Sequence, residues 1–314
     1  MENKICNMLD IKYPIIMAPM FLVSNTKMVI EALKAGITAA IPALNYKTNS
    51  ELLNAINEVK RITDKPFGIN LIVNKSNTKL KEQLKIIIDQ RVDFVITSLG
   101  NPKNVISQCK PLGIKVFCDV VDLRYAIKVE NLGADALIAV NSRAGGHSGN
   151  MLAEKLIPLL KKNCKIPIIS AGGVATNEQF NNIMQLGADG VSIGTPFIAS
   201  AECNVSDDYK NAIVNFTEKD IVTTNKMSGS LLSVINTPYV QEIGTKATLF
   251  ERLLNKNKRF KKYMKMFLFG RGMKIMEKSA FKATYKTVWV AGPCIGDINN
   301  IKPVYQIVAD IVGK

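Results

Sequence analysis

Short apolar runs alternate with longer segments of helical periodicity from Pro14 to about residue 218. The runs are almost continuously apolar, which is typical of strands buried on both faces of a parallel sheet. Two of the intervening segments open with capping boxes, Thr48 with Glu51 and Thr176 with Gln179. The pattern predicts eight strands, at residues 15–18, 38–43, 67–73, 94–99, 115–120, 136–140, 168–171 and 190–194.

The regular alternation of these elements predicts the fold. Residues 132–136 (LGADA) and 186–190 (LGADG) repeat one motif, and each copy places a glycine at a helix end before the next strand. Eight successive βα units predict a (β/α)8 TIM barrel. A doubly wound open sheet is the alternative, but no Gly-x-Gly-x-x-Gly turn follows the first strand. The length of 314 residues admits one large barrel or two ordinary domains.

After about residue 220 the alternation stops, so three regions are predicted. Residues 1–220 form the barrel, residues 221–286 form a basic helical insertion that acts as a lid after strand eight, and residues 287–314 return to the barrel. Within the insertion, residues 227–230 read as a hinge or loop. Trp289, at the start of the return, is expected to pack in the core.

Charge is concentrated in the predicted insertion. The chain carries a net charge of +15, and thirteen Lys or Arg face only two acidic residues between Lys246 and Lys286. Apolar residues recur there at helical spacing, which predicts an amphipathic helix with its lysines outward over the barrel mouth. Docking of an acidic partner, or of an anionic membrane surface, is the alternative. Charge confined to one segment argues against a nucleic-acid binder.

The cellular compartment and the likelihood of a bound metal are predicted from sequence features that the chain lacks. No apolar run approaches the length of a membrane span, and the N-terminus lacks a basic region followed by an apolar one. A cytoplasmic protein is therefore expected. Six cysteines lie far apart without a Cys-x-x-Cys pair, and a single histidine cannot help to build a zinc site. Reduced, mostly buried thiols and no bound metal are expected.

The candidate for proton transfer is that single histidine, His147. It lies in residues 141–149 (NSRAGGHSG), which follow the sixth predicted strand and precede a helical segment. In a TIM barrel the chemistry belongs to loops at the carboxyl ends of the strands, and His147 falls in the sixth such loop. Histidine is easily poised for proton transfer near neutral pH, although a lone loop histidine is often only solvated or hydrogen-bonded.

A phosphate site is predicted in the loops after the last two strands. Gly172 and Gly173 can expose backbone amides, and Thr195 is expected to cap a short helix that has Pro196 at its first position. Ordinary turn glycines and an ordinary cap are the alternative reading.

The roles of two more residues are left open by the sequence. Asp119 either faces the pocket or caps the next helix, and Arg143 is a candidate anion contact beside His147.

With these residues placed, the chain resembles a family of FMN-dependent barrels. The family contains the nitronate monooxygenases, formerly called 2-nitropropane dioxygenases, and the flavin-type enoyl-acyl carrier protein reductases. The resemblance covers most of the barrel and resumes at the glycine motif near the C-terminus. The motifs that carry it are PIIMAPM at 14–20, GINL at 68–71, ITS at 96–98, AGGHSG at 144–149, SAGG at 170–173 and IGT at 193–195.

The resemblance implies FMN as the cofactor and a role for each motif. The first motif would run beside the isoalloxazine ring, Asn70 would hydrogen-bond it, and the glycine turns would hold the phosphate. His147 would be the base that removes the proton beside a nitro group, or would hold the nitronate against the flavin. The implied cofactor-binding residues are Ala18, Pro19, Met20, Asn70, Ser98, Ala144, Gly145, Ala171, Gly172, Gly173, Gly194 and Thr195.

The choice of branch within the family decides the expected reaction. Ala18-Pro19-Met20 stands where the enoyl reductases usually carry Gly-Gly-Met, which favours oxidation of alkyl nitronates by oxygen to a carbonyl compound and nitrite. The basic segment instead favours an NAD(P)H-dependent enoyl-acyl carrier protein reductase. Pro293 replaces a glutamine that is usual in both branches and leaves the small-molecule substrate open. An NADH:quinone reductase, and a basic binding module on an inactive barrel, are further alternatives, and a homodimer is left open.

Overall fold

The computed structural model describes residues 3–74, 77–226, 231–245, 275, 277, 280–281 and 287–314. Within these ranges eight parallel strands close into a barrel in the order β1-β2-β3-β4-β5-β6-β8-β9, as the sequence predicts. Each barrel strand agrees with its predicted range to within one residue at either end. In chain order the strands are β1 Ile15–Met17, β2 Thr38–Pro42, β3 Gly68–Ile72, β4 Phe94–Ser98, β5 Lys115–Val120, β6 Ala136–Val140, β7 Gly146–His147, β8 Ile168–Ala171, β9 Gly190–Ile193, β10 Ile221–Thr224 and β11 Leu232–Ile235.

Helices separate the barrel strands and cover their outer faces. Both predicted capping boxes are present, at Thr48 before α3 and at Thr176 before α8. Among the described residues, none of the helices has the length and apolarity that a membrane span requires. The helices are α1 Lys4–Leu9, α2 Thr26–Lys34, α3 Asn49–Ile62, α4 Leu80–Asp89, α5 Lys103–Cys109, α6 Leu123–Asn131, α7 Ala153–Asn163, α8 Asn177–Gln185, α9 Thr195–Ile198, α10 Asp207–Asn215, α11 Pro238–Ile243 and α12 Val304–Val312.

Two apolar layers hold the barrel together, one inside it and one between its strands and helices. Inside, the rings of Phe94 and Phe117 stack with centroids 5.0 Å apart. Gly68 provides the room for this pair, because a Cβ there would lie 2.2 Å from the Phe94 ring. Ile5 and Leu9 of α1 join the same interior cluster and close the amino-terminal end of the barrel. Open space is thereby left to the carboxyl ends of the strands.

The region that begins at residue 221 differs from the predicted helical insertion. Strands β10 and β11 pair antiparallel, and β11 also pairs with β7, so that Leu232 lies opposite His147. Val234 adds a bridge to Val290, and Leu232, Val234, Tyr239, Val240 and Val288 form a small separate core. Short strands of this kind are stabilised by partners far along the chain, which a local hydrophobic pattern does not reveal.

Most of the predicted basic helix, and the proposed hinge at 227–230, lie outside the described residues. The lid and the docking surface for an acidic partner therefore stay predictions. The cysteine prediction is confirmed, since all six thiols are free and all except Cys6 are buried.

Candidate active site

The carboxyl ends of the barrel strands open into a cavity of about 530 Å³. All of the residues singled out from the sequence line it, the catalytic candidate together with the twelve expected cofactor contacts. They arrive from the ends of six barrel strands, because a parallel barrel gathers its carboxyl-terminal loops at one rim. A further set of side chains, which no motif indicated, completes the wall: Phe21, Leu44, Asp119, Val121, Tyr125, Tyr209, Leu231, Leu232, Val288 and Val290.

One side of the cavity is built from closely packed backbone. Gly172 has φ +111°, and a Cβ on it would lie 2.4 Å from the backbone nitrogen of Ala144. A Cβ on Gly145 would lie 2.8 Å from the nitrogen of Gly292. Only glycine permits such an approach together with such backbone angles. Gly172 and Gly173, both with positive φ, thus form a turn that packs against Ala144 and the Arg143 side chain and lines the cavity.

The role expected for Thr195 as a helix cap is not the one observed. Thr195 is the first residue of α9, and Gly194 occupies the cap position without a side-chain hydrogen bond. The Thr195 hydroxyl instead accepts a hydrogen bond from the Gly292 N–H at 3.0 Å. This bond ties the eighth strand end to the returning C-terminal segment. Pro293 follows at the start of a 3-10 helix, Pro293–Asp297, whose Cys294 lines the cavity.

His147 lies in the loop after β6, as the sequence suggested, but within that loop it belongs to the two-residue strand β7. As part of β7 its backbone pairs with Leu232 of β11, so the direction of its side chain is set by a sheet. Ser148, the next residue, accepts a hydrogen bond from Ser233 at 3.3 Å. Burial lowers the pKa of His147 below its ordinary value of 6.5, because the cavity disfavours the charged imidazolium. The imidazole is therefore neutral at neutral pH and can accept a proton.

The floor of the cavity carries a hydrogen-bonded row of three polar side chains. Asn70 Nδ2 donates to Ser98 Oγ at 2.7 Å, and Ser98 Oγ donates to Asp119 Oδ2 at 2.5 Å. The question left open for Asp119 is thereby settled, because Asp122 caps α6 by accepting from the Tyr125 N–H. Burial raises the pKa of Asp119 to about 6, against the lowering effect of its bond with Ser98.

Arg143 lines the cavity, but its charge is already compensated. Its two terminal nitrogens donate to the two carboxylate oxygens of Glu218 at 3.0 and 3.1 Å. A forked pair of this kind fixes the guanidinium plane, and the pKa of Arg143 is raised accordingly. An anionic ligand would have to compete with the Glu218 carboxylate for Arg143. Arg143 therefore contributes more to joining the loop after β6 to the segment before β10 than to anion binding.

Comparison with known proteins assigns the family. The sequence profile of the family described as nitronate monooxygenase matches residues 2–82 and 77–314. The chain belongs to the nitronate monooxygenase family. It is therefore an oxidoreductase, as the resemblance implied, and the alternative of a binding module on an inactive barrel is set aside.

Relatives of this nitronate monooxygenase family member include bacterial proteins of similar length. A probable nitronate monooxygenase from Staphylococcus aureus (strain JH9) is 29% identical over 286 residues, which is 77% of this chain and 80% of the relative. FabK from Thermotoga maritima superposes with a TM-score of 0.87 at 29% identity, over 100% of this chain and 96% of that one. The nitroalkane oxidase from Streptomyces ansochromogenes superposes with a TM-score of 0.79 at 20% identity, covering 98% and 96%, and shows the shared fold.

Tyr209 is the cavity residue that sequence reasoning missed most clearly. Its hydroxyl donates to the Val290 carbonyl at 2.6 Å and accepts from the Val290 N–H at 2.9 Å. Its ring stacks on Trp289 with centroids 5.5 Å apart, so the expectation that Trp289 packs in the core becomes a specific contact. No sequence signal marks Tyr209, because its partners lie about eighty residues away and belong to no motif.

Proposed function

We propose that this nitronate monooxygenase family member binds FMN and oxidises nitroalkanes, by way of their alkyl nitronates, with oxygen to a carbonyl compound and nitrite. The observation that carries the proposal is the position of His147. A neutral imidazole lines a cavity whose other side is formed by glycine turns. This arrangement brings a proton acceptor and a site for a phosphorylated ligand into one enclosure.

The residues present fit a flavin mononucleotide. A cavity of about 530 Å³ is of the size that encloses a cofactor of this kind together with a small substrate. Gly172, Gly173 and Gly194 line the cavity without a side chain of their own, so a phosphate could approach their backbone there. Ala18, Pro19 and Met20 line the path from these glycines toward the interior, where a flat ring would be held.

Asn70 offers a more specific argument for a flavin. Both hydrogens of its amide are used, one on the Ile96 carbonyl at 3.2 Å and one on Ser98 Oγ. Its own oxygen accepts no hydrogen bond from the described residues and can therefore accept one from a ligand N–H. The isoalloxazine ring carries such an N–H group at its polar edge.

The protein's own residues account for the acid–base part of the reaction. FMN, when bound, supplies the electron acceptor for the substrate and the site of reaction with oxygen. His147 accepts the proton from the carbon beside a nitro group, a role that a neutral imidazole fills without first losing a proton. The apolar side chains of Leu232, Val288 and Val290 line the same cavity, so the imidazolium and the anionic nitronate would attract each other more strongly than in water.

An anaerobic titration of the FMN-loaded protein tests the proposal. Flavin absorbance is followed while an alkyl nitronate is added to one sample and NADH to another. Bleaching by the nitronate but not by NADH is the expected result, with nitrite released when oxygen is admitted. Absence of bleaching by several alkyl nitronates would refute the nitronate assignment.

The second candidate is NAD(P)H-dependent reduction of enoyl thioesters. The close superposition on FabK over the whole chain favours it, as do the basic residues of the Lys246–Lys286 segment if acyl carrier protein docks there. Under this candidate NADH or NADPH bleaches the flavin and an enoyl thioester restores its absorbance. Reoxidation by a quinone instead of the thioester would indicate a quinone reductase.

A further inference from the structure

The row formed by Asn70, Ser98 and Asp119 is the top polar layer of the barrel interior. Side chains alternate along a strand, so residues two positions apart share a face. Phe94, Ile96 and Ser98 of β4 follow one another on the interior face, as do Phe117 and Asp119 of β5. The stacked phenylalanine rings thus lie beneath the row, and the cavity lies above it.

Hydrogen counting gives the row a fixed direction. The Ile96 carbonyl can only accept, so the Asn70 amide nitrogen must be the atom that faces it. Ser98 has one hydroxyl hydrogen, and while Asp119 is ionised that hydrogen is donated to the carboxylate. The Ser98 oxygen then accepts the second amide hydrogen of Asn70. Asp119 in this way holds the Asn70 oxygen toward the cavity.

Asp119 is also a negative charge that the described part of the cavity leaves without a cationic partner of its own. Tyr125, on α6, and Cys118, the preceding residue, both have their pKa raised to about 12 and are neutral. Across the same cavity His147 is neutral, and Arg143 is paired with Glu218. A charge in such surroundings acts strongly on any group bound above it, because little compensates it and water is largely excluded.

We propose that Asp119 is a positioning residue for the flavin, one that orients Asn70 through Ser98 and lowers the reduction potential of the bound flavin by its negative charge. The inference rests on the proposed FMN binding but not on the identity of the substrate. Reduction adds negative charge to a flavin, and a nearby carboxylate opposes that change.

The test separates charge from orientation with two variants of the FMN-loaded protein. Asp119→Asn removes the charge but keeps an oxygen that accepts from Ser98, whereas Ser98→Ala keeps the charge and breaks the link. Asp135→Asn is the matched control, since Asp135 accepts a hydrogen bond from the Val116 N–H at the other end of β5. Flavin potentials are measured at pH 5 and pH 8 against a dye of known potential, and FMN affinity is measured by fluorescence.

At pH 8 the D119N flavin should be about tenfold easier to reduce, a rise of about 30 mV for a two-electron couple. At pH 5, where Asp119 of the unmodified protein is mostly protonated, the two potentials should converge. S98A should bind FMN several-fold more weakly and at pH 8 should keep a lower potential than D119N, although losing the Ser98 bond raises the pKa of Asp119 further. D135N should match the unmodified protein throughout.

Equal potentials for D119N and the unmodified protein at pH 8, or an equal shift in D135N, would overturn the inference. If D119N does not fold, D119S removes the same charge and must show the same rise in potential. If the protein binds FMN but does not oxidise nitronates, the result is different. The potentials of the variants would shift as expected, but nitronates would leave the flavin oxidised. Failure of the unmodified protein to bind FMN would overturn both.

Discussion

Replacing Gly172 with alanine probes the backbone packing that shapes the phosphate side of the cavity. At φ +111° a Cβ would lie 2.4 Å from the Ala144 nitrogen and 2.6 Å from its Cα. Both atoms belong to the backbone, so no side-chain rotation relieves the overlap. Gly113 offers a matched control, because its φ is +77° and no atom lies within 4 Å of its missing Cβ.

The expected magnitudes follow from these two environments. Gly113→Ala carries only the strain of a left-handed backbone, about 1–2 kcal/mol. Gly172→Ala carries at least that strain and in addition displaces neighbouring backbone, which costs about 1–3 kcal/mol in packed interiors. The free energy of unfolding should therefore fall by about 2–5 kcal/mol in G172A, clearly more than in G113A.

Urea unfolding followed by circular dichroism measures the two losses, and FMN affinity provides a second readout. G172A pushes on the segment from Ala144 to Gly145, which lines the cavity, so its FMN affinity should fall at least tenfold while that of G113A stays unchanged. Equal losses of stability in the two variants would show that the wall relaxes freely and would refute the close-packing argument.

Three further predictions concern the cofactor and the base. Gly194→Ala should fold normally, because its Cβ would make only ordinary contacts, the nearest of them with the Met20 sulfur at 3.4 Å. It should nevertheless lose FMN affinity at least tenfold by occupying space at the proposed phosphate site, and unchanged affinity in equilibrium dialysis would place the phosphate elsewhere. His147→Gln should lose about 10²–10⁴-fold in turnover of a neutral nitroalkane but much less with a preformed nitronate, which needs no base. In the unmodified protein kcat/KM for a nitroalkane should rise with pH to a plateau with an apparent pKa below 6.5, because burial disfavours protonated His147; a midpoint above 6.5 would contradict this.

The barrel could be predicted from the sequence because each of its strands is marked locally. A run such as residues 136–140 is apolar at every position, and a capping residue such as Thr48 indicates the position at which a helix begins. The glycine turns could be found for a similar reason, since positive φ demands glycine wherever it occurs. Apolar runs, capping residues and turn glycines can be recognised from neighbouring residues alone, whichever distant segment packs against them in the fold.

Other features of the site depend on pairings that no local pattern records. Strands β10 and β11 have four residues each, and β11, which pairs with β10, also pairs with β7 about eighty-five residues earlier in the chain. Asp119 is an intermediate case. The sequence identifies Asp119 as a candidate but does not show whether its side chain faces the barrel interior. The interior face of β5 is shown by Phe117, two residues earlier on the same strand, which packs in the interior cluster. The sequence predicts Thr195 to be a helix cap, because its local neighbours alone suggest that role. Its hydroxyl instead accepts a hydrogen bond from Gly292, which lies far along the chain in the returning segment.

The same long-range contacts explain why the barrel by itself does not make the site. His147 belongs to the sixth strand's loop, but the burial that keeps it neutral comes from β11 and from Val288 and Val290, which no βα unit contains. Tyr209 fixes Val290 by two hydrogen bonds, and Arg143 joins the histidine loop to Glu218 beside β10. The glycine turns of the proposed cofactor site are thus a property of the barrel, whereas the lowered pKa of His147, the proposed base, depends on the segments added to it.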